Sequence, residues 1–127
     1  MNATGTRIYN ALIKTHHITS RKKVSKLKKE AHDKTHYVLI RAGGSPGLMY
    51  VEGEEKGVRD WVNAVQALRY KDYQLVRRPT ALPDQAIGRR CEGRGGFDEE
   101  ESVRGFAARL EDRGLLSWWR HAMGYAG

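Results

Sequence analysis

A chain of 127 residues, 39% hydrophobic and 30% charged, has the balance of one soluble globular domain and not of a disordered chain. Its formal net charge of +8 favours acidic partners, nucleic acid before an anionic membrane surface or an acidic protein. The single cysteine, Cys91, excludes an internal disulfide and a cysteine-rich zinc site and suits a nuclear or cytoplasmic setting.

No segment approaches the roughly 20 apolar residues of a membrane span. The first residues hold Arg7, Lys14, His16 and His17 but no apolar core of signal-peptide length, so neither secretion nor membrane insertion is expected. Met1 to Thr6 is small and polar, and fraying is expected there. The apolar, β-branched content of Ile8, Tyr9, Leu12, Ile13 and Ile18, with no glycine or proline, suits a first strand from about Ala11 to Ile18.

Thr19 and Ser20 stand where a helix N-cap belongs, ahead of Val24, Leu27 and Ala31 at helical spacing. The remaining faces of that helix carry Arg21, Lys22, Lys23, Lys26, Lys28, Lys29 and Lys34 against Glu30 and Asp33. Cations crowd the first turn, where the helix dipole disfavours each by about 0.3 kcal/mol or more, so helix stability does not explain them. A solvated face, an import signal and a nucleic-acid contact surface all fit this pattern.

Two short apolar runs, Tyr37 to Ile40 and Leu48 to Val51, flank a Gly-Gly-Ser-Pro-Gly segment and read as a β-hairpin with a tight, φ-positive loop. Val38 and Ile40 alternate with Tyr37, Leu39 and Arg41, and Met49 and Val51 alternate with Leu48, Tyr50 and Glu52. Both faces are therefore apolar. Helices on one side alone would leave Leu39, Leu48 and Tyr50 exposed, so the second face either binds something or is covered by another part of the chain.

Val58, Trp61, Val62, Val65 and Leu68 then repeat at i, i+3, i+4 and i+7, with Glu54 and Glu55 placed for a first turn. A turn at Tyr70 to Asp72 leads into a last strand, YQLVRRP, that Pro79 is expected to stop. The order β-α-β-β-α-β is that of a ferredoxin-like α+β sandwich, two helices on one face of a four-stranded antiparallel sheet with strands one and three central.

Residues 7–80 form this domain, and 81–96, with GRRCEGRGG, read as a Gly/Arg-rich linker: the segment lacks the GK[ST] ending of a phosphate loop, and no strand leads into it. Residues 97–127 read as a helical extension packed on the domain. Asp98 or Ser102 caps a helix bearing Val103, Phe106, Ala107 and Leu110, and Leu115, Leu116, Trp118, Trp119 and Met123 follow. Each aromatic buries about 150–250 Å², so the tryptophan pair is expected against the open sheet face or its edge.

The HHI and SRKK segments, the hairpin with SPGLMYVEG, the Trp-bearing helix and YQLVRR together resemble the C-terminal domain of pre-mRNA-processing factor 3, a small nuclear ribonucleoprotein domain that also occurs behind RWD domains. The likeness spans about Tyr9 to Pro79, and DRGLLSWWRHAMGY is similar to tails of fungal members. It implies a ferredoxin-like domain without catalysis that, in the splicing factor, contacts small nuclear RNA. In two respects the sequence as it stands departs from the family, showing no RWD domain and no long N-terminal region ahead of these residues. A stand-alone copy or a truncated gene model is then the expectation, and a splicing role is not carried over with the fold.

Chemistry is weakly supported by the remaining polar residues. His16 and His17, adjacent in the expected strand, would point to opposite faces and cannot chelate together. His32 and His36 are four apart but lack a third ligand. Glu52, Glu54, Glu55 and Asp98 to Glu101 read as helix N-terminal charge and not as general acid and base. Cys91 lies among Arg89, Arg90 and Arg94, which would lower a thiol pKa, but in a linker unsuited to an active site. The expectation is a binding module that is not an enzyme and has no cofactor or metal. It would contact RNA through Arg21, Lys22, Lys23, Lys26 and Lys29, with Arg41, Arg77 and Arg78 added at the sheet edges. The alternative is a protein-interaction module whose basic helix is only a soluble face. Oligomeric state is not legible.

Overall fold

A strand with two buried faces starts the sheet. In β1 (Tyr9–Thr15) Ala11 and Ile13 turn to one side while Asn10 and Leu12 turn to the other, all buried. The computed structural model describes residues 7–82 and 94–125. The strand lies earlier than the expected Ala11 to Ile18. Beyond Thr15 the chain leaves the ladder: the His16 N–H donates to the Lys71 carbonyl at 2.9 Å, and Ile18 drops into the core. His16 and His17 are therefore exposed loop residues, their rings edge to face at 4.9 Å, and strand alternation does not separate them.

Ser20 then caps α1 (Arg21–Lys34), its hydroxyl accepting from the Lys23 N–H at 3.2 Å. Val24, Leu27 and Ala31 are buried as their spacing predicts. β2 (Tyr37–Arg41) and β3 (Gly47–Gly53) pair antiparallel across a loop in which Gly43 takes φ +102°. α2 (Glu55–Ala67) buries Val58, Trp61, Val62 and Val65, and the Trp61 indole N–H donates to the Leu27 carbonyl at 3.0 Å. A Cβ on Gly57 would sit 1.7 Å from the Lys34 carbonyl oxygen, so glycine there lets the end of α1 approach α2.

β4 (Gln74–Ala81) pairs antiparallel with β1. Pro79 does not stop it. The ladder shifts register between Asn10 and Leu12, opposite the Arg77 to Thr80 stretch, and an edge strand accommodates proline at such an irregularity.

The chain after 93 departs further from expectation. Gly95 and Gly96 donate backbone N–H groups to the Thr35 and His36 carbonyls at 2.8 and 3.0 Å, and β5 (Gly96–Glu100) then runs parallel to β2. Asp98 to Glu100 thus belong to a strand, with Glu101 just after it, and none of them takes the N-cap of the helix that follows. That position goes to Ser102, which caps α3 (Val103–Asp112) by accepting from the Gly105 N–H at 2.9 Å; α4 (Leu116–Met123) follows. The rest of the expected linker, residues 83–93 with Arg89, Arg90 and Cys91, lies outside the described residues.

The result is an α+β structure with a five-stranded mixed sheet, ordered β4-β1-β3-β2-β5, and four helices among the described residues. α1 and α2 pack on one face over Ala11, Ile13, Val38, Ile40, Met49 and Val51. α3 and α4 close the other over Leu12, Leu39, Leu48 and Tyr50 with Phe106, Leu110, Leu115 and Trp119. The open face anticipated for a four-stranded sheet is therefore covered by the chain's own tail. Trp119 is buried, while Trp118 is half-buried with its ring edge to face on Tyr50 at 5.6 Å.

Candidate nucleic-acid interface

With Val24, Leu27 and Ala31 turned inward, the outward side of α1 is set by the helical period. Lys22, Lys26 and Lys29, at i, i+4 and i+7, form one line that rises about 10.5 Å along the axis. All three are exposed, and none has a hydrogen bond or ion pair among the described residues. Of the acids on α1, Glu30, one turn past Lys26, is taken by Lys34, and Asp33 stands one turn past Lys29.

Two other candidate cations of α1 are engaged. The Arg21 guanidinium forks onto the Glu99 carboxylate with bonds of 2.8 and 2.9 Å. That hydrogen-bonded pairing holds the Glu99 carboxyl below its ordinary value, with Lys28 adding to the pull, and raises Arg21 in turn. Lys23 leans the other way, its ammonium 4.8 Å over the Tyr70 ring.

Arg41 does not stand at a sheet edge, because β5 pairs outside β2. Its Nε donates to the Glu101 carbonyl at 2.9 Å and its Nη1 to the Pro46 carbonyl at 3.0 Å. Arg77 and exposed Arg78 do lie on an edge, that of β4, whereas α1 packs against β2 and β5 across the sheet. The eight residues thus split into a free lysine line, two cations used near it, one arginine bound to backbone and two at the far edge.

Beside the N-terminus of α1 opens a cleft of about 670 Å³ walled by Arg21, Gly43 and Glu99 to Glu101. Its acids give the basic surface a negative border on the β5 side. His16 Nδ1 lies 3.4 Å from an Asp72 carboxylate oxygen. His36 falls past the end of α1 and does not share a helix face with His32, and no group of three metal-ligating side chains occurs among the described residues. None of the described helices is long and apolar enough to cross a membrane.

Sequence reasoning missed a polar network beneath the tail. Glu52, expected as helix-terminal charge, points from β3 into the tail-covered face and is fully buried. It accepts from the Tyr50 hydroxyl at 2.6 Å and from Arg113 Nη2 at 2.5 Å. The Arg113 guanidinium lies 4.0 Å from the Tyr37 ring centroid, and the Tyr37 hydroxyl donates to Asp98 at 2.9 Å. Arg109 bridges Asp98 and Glu100 at 3.1 and 2.7 Å.

Burial pushes the Tyr37 phenol well above its usual range, reinforced by the bond to Asp98. Burial alone would lower Arg113, but the hydrogen bond and charge of Glu52 outweigh it and leave it raised. Tyr37 and Tyr50, on the sheet face that helices on one side alone would leave open, are buried here. The signal available in sequence was the four-residue spacing of Arg109 and Arg113, one helix face, opposite acids that strand alternation puts on one side.

Compared with known protein-family models and with curated protein sequences, the chain matches none.

Proposed function

We propose that this protein is a non-enzymatic RNA-binding module that grips the phosphate backbone with the outer line of α1, in the nucleus or cytoplasm. The observation that carries the reading is the unengaged line Lys22, Lys26 and Lys29 on a capped helix. Cations without internal partners, at a spacing of about 4.5–6 Å in rise, suit a polyanion whose binding is driven by counterion release. The chain's net charge of +8 adds long-range attraction. With Tyr37 and Tyr50 under the tail, the contact is to backbone and not to bases stacked on the sheet.

In this reading the first four strands, ordered β4-β1-β3-β2 with α1 and α2 on one face, are a ferredoxin-like core to which β5, α3 and α4 are added. The chain is then a relative of the C-terminal domain of pre-mRNA-processing factor 3. The test is fluorescence anisotropy with short RNAs over a salt series. K22E/K26E/K29E should weaken binding to all sequences alike and flatten the log–log salt slope by about 0.7–0.9 per lost contact, with an unchanged melting temperature. If the unmodified chain binds no RNA in a salt-sensitive way, α1 is a soluble face and the protein-interaction alternative replaces this reading.

A further inference from the structure

Ser25 stands beside the lysine line and does nothing for the fold. It is exposed, lies off the buried Val24, Leu27 and Ala31 positions, and its hydroxyl has no hydrogen bond among the described residues. Arg21, Lys22 and Lys23 precede it, and Lys26, Lys28 and Lys29 follow. Helical spacing sets Arg21 and Lys22 one turn before it and Lys28 and Lys29 one turn after. A serine with cations two, three and four positions upstream is what a protein kinase with an acidic substrate cleft selects by charge.

We propose that Ser25 is a phosphorylation site for a basic-directed protein kinase, and that the phosphate switches off the α1 surface; the second half rests on the RNA-binding reading above. In the transfer, Ser25 Oγ bonds to the γ-phosphorus of ATP, the bond from that phosphorus to the ADP oxygen breaks, and the hydroxyl proton passes to the kinase's catalytic carboxylate. The product carries about −1.5 to −2 charges at pH 7. Lys22 and Lys29, two of the three cations of the lysine line, are within one turn of it, so the phosphate supplies from within the anion that RNA supplies from outside.

Kinases bind their substrates extended, so the start of α1 must open. It is the weak end of the helix: no acid occupies its first turn, three successive cations face the positive pole of the dipole, and Ser20 supplies its cap. Among the residues up to Ser25, Val24 is the one buried helix side chain that must lift, and such local opening takes less free energy than global unfolding.

The experiment incubates the full chain with a basophilic kinase and ATP, maps the product by mass spectrometry, and compares RNA anisotropy and circular dichroism before and after. One phosphate on Ser25, absent in S25A, is expected, with an unchanged helical signal, affinity lower by about tenfold or more and a shallower salt slope. S25D should shift affinity in the same direction by less. No incorporation on Ser25 while the same kinase modifies an extended peptide of this sequence overturns the proposal, because the folded chain then withholds the site. Incorporation with affinity unchanged, or with loss of the helical signal, overturns the switch. Absence of salt-sensitive RNA binding by the unmodified chain defeats the RNA reading instead, and the modification site is then decided by incorporation alone.

Discussion

The two faces of the sheet are closed by opposite means. Under α1 and α2 the contact is apolar: Ala11, Ile13, Val38, Ile40, Met49 and Val51 meet Val24, Leu27, Val58, Trp61 and Val65. Its one buried donor on those helices, the Trp61 indole, goes to a backbone carbonyl. Under α3 and α4 an apolar patch of Leu12, Leu39, Leu48, Phe106 and Leu110 is bordered by Glu52, Arg113, Tyr37, Asp98 and Arg109 in bonded contact. Apolar burial is non-directional and supplies the driving force on both sides. Charged pairs gain little net stability after desolvation but are intolerant of displacement. We read the second face as one on which the ion pairs fix the seat of α3, since a short helix arriving after the core is complete has few other constraints on its register.

Cavity formation gives the largest effect. Trp61→Ala on one face and Phe106→Ala on the other, both fully buried, should each cost about 3–5 kcal/mol, read from urea unfolding. If the faces belong to one cooperative unit, each variant unfolds in a single transition. A Phe106→Ala chain that loses α3 and α4 in an early, separate step would show that the tail is an accessory and would break the equivalence.

Polar anchoring comes next. Arg113→Met keeps the stem that covers Tyr37 and removes the charged bonds to Glu52, at a cost of about 1.5–3 kcal/mol. The double-mutant cycle with Glu52→Gln should give a coupling energy of about 0.5 kcal/mol or more. Additivity of the two substitutions would mean that the pair holds nothing in place, and the tail face would then differ from the helix face only in appearance.

This asymmetry also explains what the sequence disclosed. The helix face was legible because its signals are local: Ser20 before a helical stripe, and Val58, Trp61, Val62 and Val65 at one period, both answered by the structure. The lysine line was legible for the same reason, as the positions left over when Val24, Leu27 and Ala31 turn inward. β5 was not legible, because a short acidic segment, FDEE, has no strand period and takes its conformation from pairing with β2, about 60 residues earlier. Reading those acids as helix charge hid their partners: Arg21 is tied to Glu99, and Arg41 reaches the Glu101 carbonyl. The cover over Tyr37 and Tyr50 was anticipated from the tryptophan pair, but not that it is anchored beside β5, which the covering helices follow.

The smallest effect sharpens the comparison most, because it applies one substitution to both faces. Tyr37→Phe deletes a hydroxyl bonded to Asp98 and should cost about 1 kcal/mol. Tyr70→Phe deletes a buried hydroxyl that has no hydrogen-bond partner among the described residues and should be neutral or stabilising by up to about 1 kcal/mol, since that unmet donor is removed from the native state. Alkaline titration separates them further. Burial pushes the Tyr70 phenol from its usual 10.0 up to about 12, so the folded state keeps a proton that the unfolded chain releases. The resulting stability is fully present below pH 10.0 and is lost as pH rises toward about 12. Tyr70→Phe should therefore flatten the fall in unfolding free energy across that window, followed by urea melts with phenolate absorbance as the titration probe. Tyr37 is raised as well, through burial and Asp98, so Tyr37→Phe should also flatten the fall, but from a starting stability that is lower at neutral pH. Equal neutral-pH stabilities for the two variants would show that the bond to Asp98 contributes nothing, and the polar closure of the tail face would reduce to Glu52 with Arg113.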